Sequence, residues 1–284
     1  MSFLKACLIE RGGRFYMQVA LTIAGSDSCG GAGIQADLKT FQAHGVFGMS
    51  AVTAVTVQNT QKVYDVHEMP PRIVYDQIVC LFDDIEIHAV KIGMVSSIPL
   101  IKSIAAALKA VDPPAVVLDP VMISKSGYRL LNQDAQDALV HYLFPLSEVV
   151  TPNIYEAEAL LGKNIQSLDD MQTAAAEILK LGAQKVVVKG GHLGSGFATD
   201  ILYDGQEYKQ LQSRRVETKN THGTGCTFSA SIAANLALGQ GFFNAVTLAK
   251  TYISGAIEHA LDIGKGFGPT HHFFDLYAKA GINS

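Results

Sequence analysis

The stretch QVALTIAGSDSCGGAGIQADLKTFQAHGVFGMSAVTAVTVQ, residues 18–58, decides the fold. Its first eight residues are apolar and end at Gly25, as a buried strand does. A glycine-rich loop follows, then helical spacing over residues 34–44, then the β-branched run SAVTAVTVQ at 50–58. Strand, loop, helix and strand in that order make one crossover unit of a parallel sheet.

The pattern repeats along the chain. Helical spacing at 71–85 begins at Pro71, and HAVKIG is a strand at 88–93. A helix at 98–111, the strand AVVLDP at 115–120 and a helix at 132–144 with Asn132 as N-cap come next. SEVVTP reads as a strand, and NIYEAEALLG as a helix closed by Gly162. SLDDMQTAAAEILKLG opens on a capping box from Ser167 to Asp170, and KVVVKGG is again an apolar strand. Continuously apolar strands are covered on both faces. The expected architecture is α/β, a three-layer α/β/α sandwich with a mostly parallel central sheet. ATDILYDGQEYKQLQSRRV departs from the pattern and predicts a hairpin about Asp204-Gly205. Helices at 224–238 and 242–260 follow. With no Pro/Ser-rich linker and no repeat, residues 17–284 read as a single domain, and residues 1–16 as an upstream extension without ordered structure.

The bulk properties exclude several classes. The 284 residues are 48% hydrophobic with net charge −4, which gives no basic surface for nucleic acid. No apolar run approaches the roughly 20 residues that span a bilayer. Cys7, Cys29, Cys80 and Cys226 show no CxxC spacing, which argues against zinc and a disulfide scaffold and for a reducing cytoplasm.

In open α/β sheets ligands bind beyond the carboxyl ends of the strands. Here those ends read GSDSCGGAG, VQNT, KIGM, DPVMISKSG, TPN and KGGH, rich in glycine and ionisable residues. Gly31-Ala32-Gly33-Ile34-Gln35-Ala36 has the form of a dinucleotide fingerprint, but the next strand ends in Gln58 where a ribose-binding carboxylate belongs. No G-x-x-x-x-G-K-[ST] P-loop occurs. The segment KNTHGTGCTFSASIAANLALG, residues 219–239, places Gly223, Thr224 and Gly225 before a helix of small residues. Amides in a first helical turn have no intrahelical partner, and the helix dipole adds positive potential. That combination is an anion cradle suited to the charge that grows in phosphoryl transfer. Cys226 at the helix terminus is expected to have a lowered thiol pKa, so that its thiolate can take a proton. The other reading of Cys226 is a small core residue.

The ordered segments GSDSCGGAGIQADLKT, VTVQNT, KIGM, DPVMISKSG, TPNIYEAEAL, VVKGGH, NTHGTGC and GKGFGPTHHF resemble the hydroxymethylpyrimidine phosphate kinases of thiamine synthesis, within the ribokinase-like superfamily. The resemblance implies a three-layer fold without a separate lid domain, a homodimer, ATP with Mg2+ as phosphoryl donor, and two phosphorylations of 4-amino-5-hydroxymethyl-2-methylpyrimidine. It implies that Gln58 pairs with the aminopyrimidine edge. Ala32, Thr56, Met94 and Val121 surround the ring, with Gly25 and Asp37 beside them. Gly223, Thr224, Gly225 and Cys226 lie at the reacting alcohol, and Lys189 reaches the moving phosphate. Asn153, Thr221 and Lys125, the last in a flap at 124–127, serve the nucleotide. Glu156 and Asp119 support magnesium, directly or through water. His271 and His272 read as rim or packing residues. Two alternatives stay open: a pyridoxal kinase of the same superfamily, and a protein that senses the pyrimidine without transfer.

Overall fold

The structure is a computed structural model that describes residues 8–11, 14–122, 131, 133–191 and 196–282. A two-stranded antiparallel hairpin comes first, β1 (Leu8–Arg11) and β2 (Arg14–Met17). Ordered backbone therefore begins before Met17, earlier than the sequence reading places it. The main body runs β3 (Val19–Asp27), α1 (Gly33–Ala43), β4 (Phe47–Gln58), β5 (Val63–Glu68), α2 (Pro71–Asp84), β6 (Ala89–Ile92), α3 (Ile98–Val111) and β7 (Val116–Leu118). It continues through α4 (Gln133–Tyr142), β8 (Val149–Val150), α5 (Ile154–Leu161), α6 (Leu168–Leu179) and β9 (Lys185–Val188). The hairpin β10 (Phe197–Tyr203) and β11 (Tyr208–Arg214) precedes α7 (Thr224–Ala237), α8 (Phe242–Glu258) and α9 (Phe274–Lys279).

Among the described residues, nine strands form one sheet in the order β11-β10-β9-β8-β7-β6-β3-β4-β5. From β9 to β4 every neighbouring pair is parallel, and the flanking pairs β9–β10, β10–β11 and β4–β5 are antiparallel. Period-2 alternation sorts the strand residues onto two cores. Leu21, Ile23, Val90, Ile92, Leu118, Val150, Val186 and Val188 pack with α2 through α6 on one face. Ala20, Ala89, Val117, Val149 and Val187 pack with α1, α7 and α8 on the other. Each buried Val, Leu or Ile contributes about 1.5–3 kcal/mol relative to exposure. The second face uses small residues, Ala20 and Ala89 against the Ala/Ser-rich α7, so α7 lies close to the sheet.

Local signals explain most element ends. Asn153 and Glu156 make a reciprocal capping box at α5, and Gly162 closes that helix at φ 64°. Ser167 and Asp170 repeat the box at α6. The helix around residues 132–144 is observed over Gln133–Tyr142; its expected cap, Asn132, lies outside the described residues. The sequence gives no signal for β5, because VYDVHE mixes two valines with Asp65, His67 and Glu68 without a period-2 pattern, directly after the Asn59–Lys62 turn.

Candidate active site

Strand β3 ends in Asp27, which is buried. Its carboxylate collects the glycine-rich loop: Oδ1 accepts from the Cys29 amide at 3.0 Å, and Oδ2 from the Gly31 and Ala32 amides at 3.0 and 2.8 Å. The fourth partner comes from the far end of the chain, His222 Nε2 at 2.8 Å from Oδ2. Burial would raise the Asp27 carboxyl, but His222 and the amides outweigh it and bring its pKa to about 2. Burial would likewise lower the His222 imidazole, and Asp27 lifts it instead to about 9. The pair is ionised across the neutral range. Two glycines make the approach possible. A Cβ on Gly31 would collide with the His222 ring, and one on Gly223, whose φ is 80°, would collide with the Gly31 carbonyl. Sequence reasoning missed Asp27 and His222. Their spacing of 195 residues leaves no local signal; a histidine directly before Gly-Thr-Gly was the only cue.

His222 introduces α7. Gly223 is its N-cap, and no side chain caps the helix. The Thr224 amide and hydroxyl turn back to the Thr221 carbonyl, at 3.3 and 2.8 Å. The amides of Gly225 and Cys226 fall in the first turn, where the helix offers no acceptor. Behind them stands a charge cluster. Lys189 Nζ, at the end of β9, donates to Asp119 Oδ1 at 2.8 Å and lies 4.0 Å from Glu156 Oε2. Asp119 also accepts from Thr151 at 3.1 Å and from Ser229 in α7 at 3.4 Å. A Cβ on Gly225 would sit 3.3 Å from Asp119 Oδ2 and 3.6 Å from Lys189 Nζ, so the helix terminus, the lysine and the carboxylate share one corner. Burial opposes ionisation of both Asp119 and Lys189; their pairing prevails, holding Asp119 below and Lys189 above its usual range. Burial, helped by Asp119, pushes Glu156 up to about 7 against the pull of Lys189. Asn153 and Glu156 are first of all each other's caps: the Asn153 amide donates to Glu156 Oε2 at 2.7 Å, and the Glu156 amide to Asn153 Oδ1 at 2.9 Å.

Beneath this corner Lys91 donates to both oxygens of Asp37 at 3.0 and 2.9 Å, and Thr22 donates to Oδ2 at 2.6 Å. Lys91 and Asp37 are both 0% exposed. Asp37 therefore presents no open oxygen to a substrate, contrary to the expectation for it; it lies on the inward face of α1 as the partner of a buried ammonium. The lowered thiol expected at Cys226 is also corrected. Burial pushes its pKa up to about 11, and the Asp37 and Asp119 carboxylates add to that rise while Lys91 opposes it. Cys226 keeps part of its surface open to solvent, yet at neutral pH it carries a thiol.

Of the residues expected at the pyrimidine, Gln58, Thr56, Gly25, Met94 and Ala32 lie on or against the end of β3 and the glycine loop. Gln58 Nε2 lies 3.4 Å from His222 Nε2, so the tip of β4 touches the residue that introduces the cradle. Thr56 is buried, with its hydroxyl 3.0 Å from the Ser26 carbonyl and 3.3 Å from Gln58 Oε1. It buttresses the amide rather than facing an open pocket. Gly25 packs against the Met94 side chain, and Gly33 against the Gly25 carbonyl. Ala32, Met94 and Val121 are each half-buried. Lys125 and the flap at 124–127 lie outside the described residues. His271 and His272 are both buried, and His272 Nε2 meets Thr227 Oγ1 at 3.0 Å, which makes them packing residues.

The model of the family described as phosphomethylpyrimidine kinase matches residues 27–271. The chain belongs to the phosphomethylpyrimidine kinase family. It is 50% identical over 258 residues to the hydroxymethylpyrimidine/phosphomethylpyrimidine kinase of Rhizobium meliloti, spanning 90% of this chain and 97% of that one. It is 47% identical to the thiamine biosynthesis bifunctional protein ThiED of Geobacter sulfurreducens, of which it spans 54%. Among solved structures, an ADP complex of Bacillus subtilis pyridoxal kinase superposes with a TM-score of 0.86 at 41% identity, covering 92% of this chain and 99% of that one. Phosphomethylpyrimidine kinase from Clostridium difficile gives 0.76 at 49% identity, covering 84% and 99%. The fold is ribokinase-like, and membership of the family makes the chain a kinase of thiamine biosynthesis.

Proposed function

We propose that the chain phosphorylates 4-amino-5-hydroxymethyl-2-methylpyrimidine, and then its monophosphate, with ATP as donor. One observation carries the reading: Gln58 touches His222, and three residues later the backbone of Gly225 lies over Lys189 and Asp119. The amide proposed to hold the base and the turn proposed to hold the phosphate are thus neighbours. The Gln58 amide supplies both a donor and an acceptor for an aminopyrimidine edge, with Thr56 fixing its orientation. Met94 and Val121 border the ring.

The residues present fit a polyphosphate. An uncapped helix terminus with glycine in its first turn offers fixed donors, and Lys189 adds a point charge. These groups stabilise charge on a phosphoryl group without rearranging. Thr221 shapes the turn through its carbonyl. Asp119 and Glu156 fit magnesium by chemistry, as hard oxygen donors few in number. Asp119 Oδ1 is already engaged by Lys189 and Glu156 Oε2 by the Asn153 amide, so support through water is the natural mode. When bound, magnesium neutralises charge on the phosphates. In the second reaction the attacking group is a phosphate oxygen, which needs no base. In the first, a protonated Cys226 leaves the cradle as the main contribution of the protein.

A homodimer in the cytoplasm completes the proposal. Val55 and Val57 on β4 and Tyr64 on the edge strand β5 are 46%, 58% and 53% exposed, apolar surface that supports association with a second copy. No helix among the described residues is long and apolar enough to cross a membrane.

A second reading, pyridoxal phosphorylation, is favoured by the closer superposition on the pyridoxal kinase than on the phosphomethylpyrimidine kinase. ATP consumption measured with the pyrimidine alcohol, its monophosphate and pyridoxal separates the two. Formation of the pyrimidine diphosphate is expected; turnover of pyridoxal with no reaction of either pyrimidine would overturn the primary reading. Binding of the pyrimidine with no ATP consumption at all would point to a sensor.

A further inference from the structure

The geometry points to a transition-metal site at the mouth of the glycine loop, formed by Asp27, Cys29 and His222, distinct from any magnesium that accompanies a nucleotide. Three unlike donor atoms converge there. Asp27 Oδ2 is 2.8 Å from His222 Nε2 and 3.4 Å from Cys29 Sγ, and Sγ is 3.5 Å from Nε2. Among the described residues this is the group of ligating side chains close enough to share one ion. A point equidistant from the three atoms lies about 1.9 Å from each, slightly shorter than zinc bonds of about 2.0–2.2 Å to nitrogen or oxygen and about 2.3 Å to sulfur. An ion at bonding distance therefore sits just above the plane of the three. No large rearrangement is required.

The surroundings hold the donors in place. The Gly31 and Ala32 amides fix the Asp27 oxygen that would ligate. Gly31 and Gly223 interlock beneath the His222 ring, and the His222 amide is tied to the Gly268 carbonyl at 3.0 Å. Cys29 is half-buried, which leaves a path for an ion from solvent. Coordination replaces the proton on Sγ and the proton on Nε2. Two protons leave to solvent, and no electrons are exchanged. Thiolate with imidazole selects zinc, cobalt or cadmium over magnesium.

The site has a consequence that rests on the pyrimidine reading. Gln58 Nε2 contacts the same His222 nitrogen at 3.4 Å. An ion there takes that nitrogen and crowds the amide, so zinc should raise KM for the pyrimidine while leaving kcat little changed.

The test uses cobalt(II) chloride alone with the full chain, so it does not depend on activity. One equivalent of Co2+ is expected to give a thiolate-to-cobalt charge-transfer band in the near ultraviolet and intense visible bands of tetrahedral cobalt. Millimolar Mg2+ should not displace it. Cys29→Ser should abolish the charge-transfer band and weaken binding by about tenfold or more, since even the loss of an outer-shell partner costs that much. Cys80→Ser and Cys226→Ala should keep the band. In the wild-type chain, zinc should protect Cys29 from alkylation and leave Cys80 reactive, a readout independent of how the variants fold. Weak, pink octahedral cobalt in the wild type, or a thiolate band that survives Cys29→Ser, would overturn the site. Failure of pyrimidine turnover with an intact cobalt spectrum would count against the kinase reading alone.

Discussion

Lys189 and Cys226 border the same helical turn, yet their surroundings give them different work. Lys189 is an ionised donor beside the cradle, so Lys189→Ala is expected to lower kcat about 10²–10³-fold, as losing one fixed transition-state donor does. KM for the pyrimidine should change little in steady-state assays. The change also strands the buried Asp119 charge, so stability should fall by about 3 kcal/mol in urea unfolding. Cys226, with its thiol pushed up to about 11, cannot act as a base near neutrality. Cys226→Ala should therefore slow both phosphorylations by less than about tenfold, whereas a general base contributes about 10²–10⁴-fold. A large loss confined to the first phosphorylation would restore a thiolate role. Gln58→Ala should raise KM for the pyrimidine about 10–100-fold, the cost of one or two lost hydrogen bonds, and spare kcat. The His222–Asp27 pair sets a pH dependence, measured with chelator present. His222 is raised from 6.5 to about 9, so its stabilisation is full below pH 6.5 and is lost as pH rises through 9, on the order of 1–3 kcal/mol. Asp27 is depressed from 3.8 to about 2, so its share is present above pH 3.8 and is lost as pH falls through 2. Thermal melts of wild type should drop more steeply between pH 6.5 and 9 than those of His222→Gln; equal slopes would refute the pairing. At this scale the sequence located a helix start at Gly223-Thr224-Gly225 and a strand end before Lys189, which is where the structure has them. It misled on Cys226 and Asp37, because a helix terminus is visible in sequence while burial and the carboxylates around a thiol are not.

The elements act mainly through their ends. Helix α7 begins in a left-handed glycine packed against the loop after β3, so Gly223→Ala combines an unfavourable φ of 80° with a steric clash against Gly31. It should cost about 2–3 kcal/mol of stability and displace the donors, lowering kcat with it. Gly239→Ala, equally left-handed at φ 80° but with open space around it, is the control. It should reduce stability by only about 1 kcal/mol and leave kcat intact. Chemical denaturation and turnover of the two variants give the comparison, and equal effects on kcat would separate the cradle from Gly223. The Ser167 capping box and the Gly162 helix stop were legible because their causes are local, acting within one turn; the reciprocal box of Asn153 and Glu156 was not, since those two residues were assigned to nucleotide and magnesium. β5 was not, since its hydrogen bonds run to β4 and its exposed residues carry no apolar run.

For the molecule as a whole, the sheet brings distant ends of the chain to one corner. Asp27, Asp119, Lys189 and His222 come from separate strands and loops, and each is held by a partner at least 70 positions away. The layer architecture was legible from alternating strands and helices, because apolar periodicity determines which faces are covered. Charge pairing across the sheet was not, since it depends on strand order. That order puts β7 beside β6 and β8, so that Lys91 and Asp119 lie within electrostatic reach of each other. The exposed valines of β4 give an expectation for assembly: in sedimentation velocity the wild-type chain should sediment as the proposed dimer and Val57→Glu as a monomer, and a wild-type chain that sediments as a monomer would remove that part of the account. The central claim is that the first-turn amides of α7 hold the transferring phosphate beside an alcohol docked on Gln58. A crystal structure with the pyrimidine and a non-hydrolysable ATP analogue tests it most directly. The account expects terminal phosphate oxygens on the Gly225 and Cys226 amides, Lys189 within reach of them, and the pyrimidine paired with the Gln58 amide. A terminal phosphate bound away from that turn, or a ring that leaves Gln58 without a contact, would contradict it.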